Sequence, residues 1–250
     1  MSATSLYAQA SGDFDAKLSH SLELLREAAA AYSPLTQASS LGAEDMAITH
    51  LMHEAGIAAG IFVLDTGKLH AETLALLDTL RNSYSQFALT VYQPEPAAAA
   101  QWEKRHGADA IYTSIELRKQ CCDIRKMEPL SRALQGQRGW ITGLRREQSN
   151  ARAEVLHIEH QAERAKINPL VDWTWGDVWH YIATRRIPYN PLHDQFFPSI
   201  GCAPCTRAVS LGEDFRAGRW WWEQESAKEC GLHVSPASSV SVIPIKEIAA

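Results

Sequence analysis

Apolar residues recur at helical spacing through "DFDAKLSHSLELLREAAAAY" (Asp13 to Tyr32), where Phe14, Leu18, Leu22 and Leu25 share one face. This predicts an amphipathic helix. The stretch "SSLGAED" (Ser39 to Asp45) then leads into a second helix, over about Met46 to Ala55, that Gly56 stops. The pattern changes at "AAGIFVLDTG", a short apolar run ending at Asp65 and Gly67, as expected of a buried parallel strand with a loop at its carboxyl end. A helix over Ala71 to Ser83 and a strand over Phe87 to Tyr92 repeat the alternation. "PLTQA", "GWITGL" and "EVLHIEH" supply further strands, and "TWGDVWHYIATRR" a helix capped by Thr174 with Asp177 three residues on. Strands alternating with helices imply an α/β fold: a doubly wound, mostly parallel sheet with ligand loops at the carboxyl ends of its strands.

Pro188, Pro191, Pro198 and Pro204 break the regular pattern before the C-terminal part. Apart from the alanine-rich "PAAAA" at Pro96 to Ala100, there is neither repeat nor low-complexity segment. Residues 1–235 are expected to form one domain, and residues 236–250, within "VSPASSVSVIPIKEIAA", a mobile tail. The 250-residue length suits one large α/β domain, and 46% hydrophobic with 21% charged residues is the balance of an ordinary globular enzyme. No apolar run is long enough to span a membrane, and the N-terminus resembles no signal peptide, so a cytoplasmic protein without membrane partners is expected. A net charge of −5 argues against a nucleic-acid partner. The basic residues are nevertheless clumped: Arg118, Lys119, Arg125 and Lys126 flank one cysteine pair, Arg145, Arg146 and Arg152 form a second cluster, and Arg207, Arg216 and Arg219 follow another cysteine pair. Basic clusters are mostly solvated surface charge, and in this acidic protein, with two of them beside cysteines, a local anion site is an equal alternative.

Four of the five cysteines come in two tight pairs, Cys121–Cys122 and Cys202–Cys205. They can be read as buried hydrophobes, as a structural zinc site or as ligands of a 4Fe–4S cluster. Adjacent side chains diverge by about 100° around a helix, so two neighbouring cysteines reach one zinc ion only with strain, whereas a cluster offers them separate iron atoms. Adjacent cysteines paired with CxxC thus favour the cluster. Cys230, in "KECGLH", is left over.

Taken together and in this order, "SSLGAED", "VLDTG", "CCDIRK", "WITGLRREQSNAR", "PLVDWTWGDVW", "IPYNPLHDQFFPSIGCAPCTR", "GEDFRAGRW" and "KECGLH" resemble the assimilatory adenylyl-sulfate reductases, close relatives of the phosphoadenylyl-sulfate reductases. The resemblance runs from about Thr36 to His233. It implies an adenine-nucleotide hydrolase-like fold in which Ser39, Ser40 and Gly42 belong to a modified pyrophosphate loop, while Asp65 and Gly67 meet the nucleotide. It further implies that Lys126, Arg145, Arg152, Arg216 and Arg219 surround the phosphosulfate, that His233 also contacts substrate, and that Cys121, Cys122, Cys202 and Cys205 hold a 4Fe–4S cluster. Cys230 would be the nucleophile, forming a thiosulfonate, with thioredoxin or glutaredoxin as electron donor. Adenylyl sulfate is the expected substrate, with dual use of its 3′-phosphorylated relative as the alternative, and a homo-oligomer is compatible with this reading. An ATP pyrophosphatase would call for a fuller SGGxDS loop than "SSLGAEDM", and a zinc-stapled binding module would leave "KECGLH" without a purpose.

Overall fold

The computed structural model describes residues 2–149, 152–210 and 212–223. A six-stranded sheet runs in the order β3-β2-β1-β4-β6-β5, with β1 Leu35–Ser39, β2 Gly60–Leu64, β3 Leu89–Tyr92, β4 Gly139–Ile141, β5 Ile158–His160 and β6 Ala165–Ile167. All pairings are parallel except that of the edge strand β5 with β6.

Side chains alternate across the sheet, and both faces are covered. Ile61, Val63 and Ile141 enter the larger core with α2 (Phe14–Ala31), α3 (Ala43–Ala55), α4 (Ala71–Ser83) and α8 (Trp175–Arg185). Phe62 and Trp140 point to the opposite face, where Leu130 and Ala133 of α7 (Glu128–Ala133) meet them. Burial on both faces is why these strands read as continuous apolar runs.

The expected helices α2, α4 and α8 are present, and α8 carries the Thr174–Asp177 capping box. Helix α3 starts at Ala43, three residues before the expected start. Gly42 is its N-cap, and Glu44 and Asp45 occupy the first turn, where acidic residues suit the helix dipole. The strand in "EVLHIEH" is limited to its last three residues, and β6 has no counterpart among the predicted strands.

Two helical stretches go beyond the sequence expectation. The alanine-rich segment opens α5 (Pro96–His106), which has Pro96 in its first turn and Lys104, Arg105 and His106 in its last. The first cysteine pair ends α6 (Ile115–Cys122), whose N-cap Ser114 accepts from Leu117 N–H at 3.1 Å. A π-helical turn, Asp123–Met127, joins α6 to α7. The helix on which Lys126 follows Cys122 by four residues is therefore wider there than a regular α-helix. A short N-terminal helix, α1 (Ala3–Tyr7), lies against α8.

Candidate active site

The order of the sheet reverses direction between β1 and β4, and the loops leaving the carboxyl ends of β1, β2 and β4 surround a cavity of about 210 Å³. A cavity at such a switch point is where open α/β sheets bind ligands. Ser39, Ser40 and Gly42 line it from the β1 loop, and Thr66 from the β2 loop. Thr142, Gly143, Gln148 and Arg152 follow β4, while Lys126, Arg216 and Arg219 close the rim. At Gly143 a Cβ would lie 2.7 Å from Asp45 Oδ1, so glycine allows the β4 loop to approach the start of α3.

The β1 loop is held by its own side chains. Leu41, with φ of 61°, takes a left-handed conformation, and its N–H donates to Ser39 Oγ at 3.2 Å. Asp45 Oδ2 accepts from both the backbone N–H and the hydroxyl of Ser40, each at 2.6 Å. Burial pushes the Asp45 carboxyl up to about 6, with Glu44 adding to the shift and the Ser40 bonds opposing it. At the helix entrance, buried His193 accepts from Ala43 N–H at Nε2 (3.2 Å) and donates from Nδ1 to Phe197 O at 2.8 Å. Burial pushes this imidazole down to about 4, so it is neutral near pH 7.

The residues singled out in the sequence take different places. Lys126, Arg152, Arg216 and Arg219 line the cavity. Arg219 passes over Gly201, where a Cβ would sit 2.5 Å from Nη2. Arg145 does not line the cavity. It is 1% exposed and gives Nε and Nη2 to Glu44 Oε1 at 3.1 and 3.0 Å and Nη1 to Glu147 at 2.7 Å. Asp65 and Gly67 shape the β2 loop instead of lining the cavity: Asp65 Oδ1 accepts from Gly67 N–H at 2.9 Å, and Thr66 between them faces inward. Cys230 and His233 lie outside the described residues.

Sequence reasoning passed over Thr66, Asp45, Gln148 and His193. All four sit inside the quoted motifs, and Thr66 lies between Asp65 and Gly67. His193 is marked only by "NPLH", and its contact with Ala43 joins positions 150 residues apart.

The two cysteine pairs converge. Cys121 and Cys122 from α6, and Cys202 and Cys205 from the loop after Pro198, line one small cavity with Lys68, Arg118, Arg125, Lys126 and Trp220. The CxxC loop is docked on the β2 loop: Ala203 N–H donates to Lys68 O at 2.7 Å, and Cys202 Sγ lies 3.2 Å from Thr66 Oγ1. Burial pushes the Cys205 thiol up to about 11, with Cys202 adding to the shift and Lys126 and Arg219 opposing it. Among the described residues no three His, Cys, Asp or Glu side chains are grouped to hold a single metal ion. The four cysteines instead line one space together with four cationic side chains and Trp220, whose buried indole N–H has no hydrogen-bond partner among the described residues. That donor set fits an anionic thiolate-bound cluster.

Comparison with known proteins adds the lineage. Residues 34–208 match the model of the phosphoadenosine phosphosulfate reductase domain. An adenosine 5′-phosphosulfate reductase of Burkholderia cepacia is 52% identical over 206 residues, 81% of this chain and 82% of that protein. One from Allochromatium vinosum is 50% identical over 214 residues, covering 85% and 83%. Among solved structures, the phosphoadenylyl-sulfate reductase of Candida auris, a phosphate complex, aligns with a TM-score of 0.64 at 25% identity, covering 80% of this chain and 98% of that one. The FMN adenylyltransferase of Candida glabrata shares the fold at 13% identity, with a TM-score of 0.55 over 94% of this chain and 85% of its own.

Proposed function

The chain belongs to the phosphoadenosine phosphosulfate reductase family, and on that premise we propose that it reduces adenylyl sulfate to sulfite and AMP, as an oxidoreductase of assimilatory sulfate reduction. One observation carries the site assignment: Lys126 and Trp220 line both the switch-point cavity and the cysteine cavity, so one cation stands between the two.

The larger cavity takes the nucleotide, with the phosphosulfate toward Lys126, Arg152, Arg216 and Arg219. These side chains neutralise the phosphate and sulfate oxygens and the charge that grows on the departing phosphate. Cys230 thiolate attacks the sulfur, the bond to the phosphate oxygen breaks, AMP leaves, and Cys230 carries S–SO3−. A thiolate of reduced thioredoxin then attacks the Cys230 sulfur and releases sulfite. The donor's second thiol resolves the mixed disulfide, so the donor supplies both electrons. Cys121, Cys122, Cys202 and Cys205 would hold a 4Fe–4S cluster, which would supply fixed charge. The reaction belongs to the cytoplasm, where such thiol donors are kept reduced.

The test is sulfite production by anaerobically purified protein with thioredoxin and each of the two sulfonucleotides. The expected result is brown protein with about four iron and four sulfide per chain, and a higher kcat/KM for adenylyl sulfate than for its 3′-phosphorylated relative. Stoichiometric zinc without sulfide would overturn the cofactor. A preference for the phosphorylated nucleotide would overturn the substrate.

A further inference from the structure

His193 stands in the short helical turn Pro191–Gln195, on the wall of the switch-point cavity, and is 2% exposed. Its two ring nitrogens reach different segments. Nε2 meets Ala43 N–H, the first of α3, at 3.2 Å, and Nδ1 meets Phe197 O at 2.8 Å. The carbonyl can only accept and the N–H can only donate, so one state of the ring serves both: the neutral imidazole with its hydrogen on Nδ1. Burial, which keeps this imidazole neutral near pH 7, favours that state.

Each of these bonds ends at a wall of the cavity. Ala43 follows the β1 loop, and its N-cap Gly42 has no side chain to cap the helix, so the imidazole does so from 150 residues away. Phe197 leads into residues 198–201, which line the cavity before the chain reaches Cys202. The ring has little room to turn, because Trp175 and Trp179 of α8 meet it edge-on at centroid distances of 6.0 and 5.2 Å. The turn is also fastened to Thr73 of α4, which lines the cavity too. Asn190 Oδ1 accepts from Leu192 N–H at 3.1 Å, while Asn190 Nδ2 donates to Thr73 Oγ1 at 2.8 Å.

We propose that His193 is a positioning residue for nucleotide binding: its Nδ1–H tautomer bridges the start of α3 and the segment at Phe197, and so holds two walls of the cavity at the separation a nucleotide needs. The proposal rests on the reading of this cavity as the nucleotide site. His193 serves there as neither proton donor nor nucleophile, because backbone groups engage both ring nitrogens. Walls fixed before binding spare the nucleotide the cost of ordering them, so the bridge acts on affinity. An interaction equally present in the ground and transition states moves KM far more than kcat.

The test uses the full chain, purified anaerobically, as wild type and three variants. His193→Phe keeps a ring without polar atoms, His193→Gln keeps an acceptor for Ala43, and His193→Asn keeps a donor for Phe197. Circular dichroism shows whether each is folded. Affinities for AMP and adenylyl sulfate are measured by calorimetry, kcat and KM with reduced thioredoxin, and the ring tautomer by NMR of histidine-labelled protein at pH 7. Hydrogen exchange at the Ala43 amide reports the bridge without reference to activity. His193→Phe should bind both nucleotides roughly tenfold more weakly, the factor that one lost buried hydrogen bond gives. Its KM should rise to match while kcat falls by no more than about twofold, and its Ala43 amide should exchange several-fold faster. His193→Gln and His193→Asn should bind with intermediate affinity, and of the two only His193→Gln should restore slow exchange at Ala43. If His193→Phe does not fold, these two variants decide. A wild-type His193 with its hydrogen on Nε2, wild-type affinity and exchange in the variants, or a loss of kcat at constant KM would overturn the proposal. A wild type that binds neither nucleotide would instead overturn the reading of the cavity, and with it the effect on affinity, while tautomer and exchange would still decide on the bridge.

Discussion

Arg145 and Arg216 look equivalent in the sequence, as arginines within basic clusters, but they are placed for different work. The Arg145 guanidinium is spent on Glu44, Glu147 and the Trp173 carbonyl inside the protein, and its Cζ lies 5.4 Å from the Trp175 ring. Removing it leaves Glu44 buried beside Asp45 without its cation. Arg145→Ala should therefore lower unfolding free energy by about 3–5 kcal/mol, visible as a large drop in Tm; an unchanged Tm would show that the pair is not structural. Arg216 and Arg219 line the cavity, so Arg→Ala there should lower kcat/KM with a much smaller change in Tm, and lysine should restore only part of the loss because it lacks the fork. Normal efficiency in both variants would return them to ordinary charges. Sequence could not separate these arginines. Their difference lies in which carboxylate the fold brings opposite each one, and Glu44 is 101 residues from Arg145.

At the scale of elements, α2, α4 and α8 were legible because each has a local signature, an apolar face or a capping box, that the tertiary structure does not override. The start of α3 was not, because its first turn buries Glu44 and Asp45, which pattern alone assigns to a solvated loop. Strand β6 was missed for a similar reason: Lys166 in its centre is 3% exposed, paired with Glu159 across the β5–β6 edge. The buried acidic turn has a measurable consequence. Asp45 holds its proton up to about pH 6 in the folded protein, against an ordinary value of 3.8. The native state thus binds more protons than the unfolded chain between those values, so stability falls as pH rises from about 4 to 6 and stays lower above. Asp45→Asn keeps an acceptor for Ser40 without the charge. It should stabilise the protein by about 2–3 kcal/mol above pH 7 and by little near pH 4, as read from Tm at the two pH values. A Tm difference independent of pH would contradict the raised pKa.

At the scale of the whole molecule, the topology gathers motifs spread along the chain. Residues 39–42 meet Thr142, Gly143, Gln148 and Arg152 across the β1–β4 switch point, and the two cysteine pairs, 80 residues apart from Cys122 to Cys202, line one cavity. Motif order and chemistry were legible in the sequence. The shared position of Lys126 and Trp220 between the two cavities was not, because it depends on the π-helical turn after Cys122 and on the left-handed backbone at Trp220. The central claim is that sulfonate passes to Cys230 before any electron arrives. It is tested most directly by incubating the reduced protein with adenylyl sulfate in the absence of a thiol donor and mapping its mass. The account predicts one added sulfonate, on the peptide containing Cys230, removed by reduced thioredoxin with release of sulfite and absent from Cys230→Ser. An adduct on another residue, or full turnover by the serine variant, would contradict it.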